Sequence, residues 1–340
     1  MSSVSVLVPF VPRRPEQTLP YAGLVQWTHA VRLWQGQAQI VEPHQSFVHP
    51  AGAGFRVPTG LGVTLIPLRH PYEAALQARS VAISTGHTVV AGYGPGAPEF
   101  QASMLGRPYK SPLTAMREYL TIVRGLLDGE TVEFDGSVFS CHAGLIPYPS
   151  PRVEVGAGVL RPRMAEVAGA VADVAITWLT PPTYLADTIV PALERGAEGA
   201  GRARPRVAAL VPMALDGEGR DPAQLVMAGS SRHLAAGHYR DMLAKAGVEL
   251  GEDPATAVLE AGAFLYGSEA DIAAGLQRFF DAGADEVVLN VVGLCNLLGP
   301  EVALQELKRL LVVAEPLVSR NAGASAATAR TPSTDREAAR

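Results

Sequence analysis

The chain has 340 residues, 48% of them hydrophobic, which is enough for one large domain or two ordinary ones with complete cores. A net charge of −5 with no long run of Arg or Lys argues against nucleic acid as the main partner, since phosphate binding needs a basic face. Cys141 and Cys295 lie far apart and make no disulfide or metal framework, and the apolar start "VSVLVPFVP" is too short to span a membrane, so a cytoplasmic protein with no membrane partner is expected.

Strand-like and helix-like stretches alternate, which is the pattern of a parallel sheet covered by helices. A first strand near Val4–Pro9 is followed by a helix around Ala22–Ala30 and a second strand in "VRLWQG". Gly60–Leu68 reads as the third strand, and the next helix opens on Pro71. "TVVAGYG" is the fourth strand. The helix after it has Ser111 as N-cap, Pro112 at its first position and Gly129 as its stop. "RVEVGAG", "DVAITWLT", "RVAALVPMALD" and "DEVVLNVVG" complete eight strands, most of them followed by a helix.

Eight strands at this length predict a closed (β/α)₈ barrel over residues 1–318. An irregular or helical excursion at 218–262 interrupts it, and a disordered Ala/Ser/Thr/Arg-rich tail is expected at 319–340. An open doubly wound sheet would carry a G-x-G-x-x-G turn, and "VGAGVLRP" lacks that spacing.

Active sites of such barrels lie at the C-terminal strand ends. The fourth strand ends in Gly92, Tyr93, Gly94, Pro95 and Gly96, so another molecule can touch the main chain there. The fifth ends in Gly156, Ala157, Gly158 and Val159, and Pro162 then opens a helix between Arg161 and Arg163. Unpaired N–H groups at a helix start, with guanidinium groups beside them, make a phosphate seat. The dipole itself supplies only ~0.3–1 kcal/mol, so the arginines and N–H bonds carry most of the holding. Each loop alone is equally an ordinary βα turn.

The chain resembles the bacterial-luciferase-like family of flavin- and deazaflavin-dependent oxidoreductases. The resemblance rests on the order and spacing of "GVTLIPLRHPYEAALQARSVAISTGHTVVAGYGPG", "REYLTIVRGLLDGETVEFDGSVF", "RMAEVAGAVADVAITWLTP" and "GSEADIAAGLQRFFDAGADEVVL". It implies a barrel, and either coenzyme F420 or FMN as cofactor. "GYGPG" is similar to the loop of deazaflavin-dependent reductases. That likeness implies a cis peptide at Val63–Thr64 backing the ring, with the phosphate over Gly156–Val159. The family also implies a homodimer.

Because the chain has "LWQGQ" where the family's alcohol dehydrogenases carry a His–acid pocket, the resemblance favours reduction of a C=C or C=N bond by reduced F420. The acceptor would be a natural product, such as dehydroalanine in a lanthipeptide. FMN-dependent monooxygenation is the alternative.

Such a reduction needs donors for a developing oxyanion and a proton source. Trp34, Gln35 and Gln37 at the second strand's end, and His44, His49 and His70 on the following loops, are the candidates, with Trp178 a wall of the pocket. Trp34 is equally a core aromatic, the histidines are more often surface or capping residues, and Glu99 either faces the site or merely begins the next helix. Arg232, His238 and Tyr239 in the excursion can reach a peptide or the coenzyme's acidic tail, but read more readily as solvated helix positions.

Overall fold

A computed structural model describes residues 2–328, with side chains as far as Val318. The eight expected strands are all present: β1 (Ser3–Leu7), β2 (Leu33–Gln35), β3 (Thr59–Leu65), β4 (Val89–Gly94), β5 (Val153–Gly158), β6 (Val174–Trp178), β7 (Arg206–Leu215) and β8 (Glu286–Asn290). Each pairs in parallel with the next, and β8 closes on β1 with Val4 opposite Val287. The end of β7 carries a further short strand, Leu265–Gly267.

Prolines open the helices Pro71–Thr85, Pro112–Leu127 and Pro162–Val171, where a missing N–H costs nothing. The Ser111 hydroxyl accepts from the Thr114 N–H at 3.2 Å, as an N-cap should. The first helix lies a little earlier than expected, at Leu19–Gln26. The excursion holds three helices, Pro222–Ala235, Gly237–Lys245 and Pro254–Glu260. The last helix, Pro300–Thr328, overlaps the start of the expected tail, and residues 329–340 lie outside the described residues. Among the described residues no helix is long and apolar enough to cross a membrane.

Strand alternation makes two cores. Residues such as Val4, Val6, Ala91 and Tyr93 face the helices. Leu7, Trp34, Val90, Val174, Ile176, Ala208, Leu210 and Val288 fill the barrel. Below them Glu286, 1% exposed, takes hydrogen bonds at 2.6 Å from both Ser5 Oγ and Trp34 Nε1. Arg206 bridges Glu286 at 3.4 Å and Glu154 at 2.8 Å, and Arg32 lies 3.6 Å from Glu286. Two cations and two carboxylates thus plug the N-terminal end in balance, the end where such barrels keep their stabilising contacts.

Candidate active site

At the other end the interior is bare. The last inward positions of β4 and β5 are Gly94 and Gly158, and a Cβ there would stand 2.8 Å and 3.3 Å from the Val63 side chain. Val63 sits in a bulge of β3, where the register with β4 shifts between Leu61 and Thr64. The cis peptide lies at Gly62–Val63, one bond earlier than Val63–Thr64 as expected from the family resemblance. Inside a bulge the pairing register is not fixed by alternation, so a bond carried over from a resemblance can fall one residue off.

Gln37 brackets this bulge. Its N–H donates to Val63 O at 3.1 Å, and its side-chain oxygen faces the Leu65 N–H at 3.4 Å. Thr64 is buried and donates to Gly92 O at 3.2 Å. Gln101, 1% exposed, pins the turn at Pro95–Gly96 by donating to both carbonyls, at 3.1 and 2.9 Å. Gly96 has φ +71°, which favours glycine.

Above this floor opens a cavity of about 920 Å³, within the range of small-molecule sites. Gln37, Val63, Gly94, Pro95, Gly96, Gly158, Val159, Arg161 and Trp178 all line it, so the two glycine-rich rims meet at one site. Arg161, half exposed at the start of the Pro162 helix, pairs with Asp241 of the excursion at 3.2 Å.

The sequence matches the luciferase-like monooxygenase family model over residues 9–286. The chain belongs to that family. A 5,10-methylenetetrahydromethanopterin reductase of Methanolobus tindarius is 30% identical over 204 residues, covering 56% of this chain and 60% of the relative. The chain thus spans about three fifths of the length of the curated relatives it matches. The F420-dependent tetrahydromethanopterin reductase of Methanopyrus kandleri superposes with TM-score 0.66 at 19% identity, over 90% of this chain and 98% of that one. An F420-dependent secondary alcohol dehydrogenase bound to an F420-acetone adduct gives TM-score 0.69 at 17% identity, over 91% and 99%. At such identities these structures establish the fold.

Several candidates of this luciferase-like barrel lie outside the cavity lining. Trp34 is fully buried one layer below, its ring filling the space left by Gly60 and lying 3.1 Å from where a Gly62 Cβ would be. Gly92 and Gly156 pack against each other and Ile176 beneath the floor. Tyr93 and Ala157 face the helices, and the Tyr93 hydroxyl donates to Ala74 O at 3.4 Å. Arg163 is exposed and does not line the cavity.

His44 is buried and bonded through Nδ1 to Glu42 at 2.7 Å. His70 caps the Pro71 helix: Nδ1 accepts from the Tyr72 N–H at 3.2 Å, and Nε2 meets Ser140 O at 3.0 Å. Neither histidine lines the cavity.

The excursion reaches the cavity, the less favoured of its two sequence readings. Arg232, His238 and Tyr239 line the cavity together with His233, which the sequence reading passed over. The His233 ring stacks on Trp178 with centroids 5.1 Å apart, and Tyr239 meets His233 edge-on at 5.0 Å. Burial, then the nearby His238 and Arg232, lower His233 to about 4, so it is neutral at pH 7. These positions read as solvated because a helix in isolation does not reveal which face meets another element. The run "SRHLAAGHYRD", with aromatic and His residues at spacings of five and six, was the available signal.

Proposed function

We propose that this chain is a coenzyme F420-dependent reductase that delivers hydride from reduced deazaflavin to a C=C or C=N bond of a natural-product acceptor. The observation that carries the proposal is the bare floor. Gly94 and Gly158 flank Val63 on adjoining strand ends, leaving a flat apolar seat that any added Cβ would fill. The cavity has room for a tricyclic ring and its chain, and Arg161 beside the positive end of the Pro162 helix would hold a phosphate.

When bound, the reduced deazaflavin supplies the hydride. The protein's own residues do the rest. Gln37 fixes the bulge beneath the ring, and Gln101 fixes the turn beside it. The stacked Trp178 and His233 close one side and exclude water, which strengthens every polar contact inside.

The names of the curated relatives support reduction, and the likeness of "LWQGQ" with "GYGPGAPEFQ" to natural-product reductases supports a dehydroamino acid such as dehydroalanine as acceptor. FMN-dependent monooxygenation is the second reading, supported by the description of the family itself. Titration of purified protein with F420 and with FMN separates the two. F420 binding that Gly158→Asp abolishes is expected. Tight FMN binding with no response to F420 would overturn the proposal.

A further inference from the structure

Two side-chain amides that line the cavity are partly engaged. The Gln37 amide already gives a hydrogen to Ala38 O at 2.9 Å, and that of Asn296 to Ala228 O at 2.8 Å. The Trp178 indole nitrogen is sealed among neighbouring atoms.

Among the part-buried tyrosines whose hydroxyl has no protein partner in the described residues (Tyr72, Tyr109 and Tyr239), Tyr239 alone lines the cavity. Tyr21, Tyr93, Tyr119, Tyr184 and Tyr266 each donate their hydroxyl to a main-chain carbonyl, on Pro300, Ala74, Arg69, Leu160 and Arg220 respectively. The Tyr239 hydroxyl has no protein partner among the described residues, and it is not among the sealed polar atoms. Its ring is nonetheless held, edge-on to His233 at 5.0 Å and beside His238 at 4.9 Å, with His233 in turn stacked on Trp178. A donor on a fixed ring in the cavity wall, lacking a partner, is preorganised for an acceptor the protein does not supply.

We propose that the Tyr239 hydroxyl is a catalytic hydrogen-bond donor to the carbonyl oxygen of an acceptor whose reducible C=C bond is conjugated to that carbonyl. The inference rests on the reductase reading above. Reduced deazaflavin, when bound, would supply the hydride that forms the C–H bond at the β carbon. The π pair of the C=C bond moves toward the carbonyl, and the charge on its oxygen is held by the Tyr239 O–H. A proton from water then reaches the α carbon. The acceptor gains two electrons and two hydrogens overall, and the cofactor ends oxidised. Burial pushes the phenol well above its ordinary range, so it stays protonated and acts as a donor rather than as the proton source.

The test uses the full chain and 4-(dimethylamino)cinnamaldehyde, a conjugated carbonyl dye whose absorption moves to longer wavelength when its oxygen is hydrogen-bonded. Wild type is expected to bind the dye and shift it. Tyr239→Phe is expected to lose most of that shift with an unchanged melting temperature, since the hydroxyl holds nothing in the fold. Tyr184→Phe, whose hydroxyl is spent on Leu160, is expected to keep the shift. An unbound or unshifted dye in wild type overturns the proposal, and so does a full shift in Tyr239→Phe. Titrating the same wild-type sample with F420 answers separately for the reductase reading: a protein that shifts the dye but ignores F420 fails there and not here.

Discussion

Trp34 and Glu286 are joined across the inside of the barrel by a 2.6 Å hydrogen bond from the indole N–H to the carboxylate. The bond links the fill of the barrel to the charged plug below it, because the same carboxylate holds Ser5 and faces Arg206 and Arg32. Glu286→Leu would leave those guanidinium groups with only Glu154. Loss of one partner from a buried ionic network costs about 3–5 kcal/mol. Urea unfolding should show that loss as a lowered midpoint with an unchanged slope, while cofactor affinity in the folded protein stays close to wild type.

Gly94 is the position where the cavity floor tolerates least. An alanine Cβ there would stand 2.8 Å from the Val63 side chain, and the main chain at Gly94 is ordinary strand. The substitution therefore acts by filling space and not by straining the backbone. Gly94→Ala is expected to weaken F420 binding at least tenfold, read by titration, with little change in melting temperature.

These two residues also show what the sequence makes legible. Alternation and turn chemistry placed all eight strands and the two glycine rims, because both are local. Depth along the barrel axis is not local. Trp34 in β2 and Gly36 just past its end share the inward parity, yet Trp34 sits a full layer below the cavity, and only the closed barrel defines the layers. The hairpin of Val132–Asp135 with Ser140–Ala143 was missed although "EFDGSVF" carries an Asp–Gly turn between two alternating runs. The fate of His70 was likewise set by a partner distant in sequence, Ser140 O, whereas His44 bonds Glu42 only two residues before it, a local pairing.

His233 makes stability depend on pH. Its pKa falls from 6.5 to about 4 on folding, mainly through burial. Between those values the unfolded chain binds the extra proton, so the contribution is fully present above pH 6.5 and is lost as pH falls toward 4. His233→Gln, which cannot titrate, should flatten the melting temperature against pH in that window. An unchanged slope would show that His233 is protonated in the folded protein.

Glu118 fastens the hairpin to the Pro112–Leu127 helix. Its carboxylate accepts from the N–H groups of Ser137, Val138 and Phe139 at 2.7, 2.8 and 2.9 Å, and from the Ser137 hydroxyl at 2.9 Å. Burial pushes the acid up, but the hydrogen bonds outweigh it and hold the group below 4.5. The stabilisation is present above that value and is lost as pH falls through the lower folded one. Glu118→Gln turns an NH₂ toward at least one of those main-chain donors. Hydrogen bonds to a charged group are worth about 1.5–3 kcal/mol, and a loss of that order is expected. Amide exchange at Ser137–Phe139 should quicken, and the acid limb of the stability curve should lose the step that Glu118 contributes.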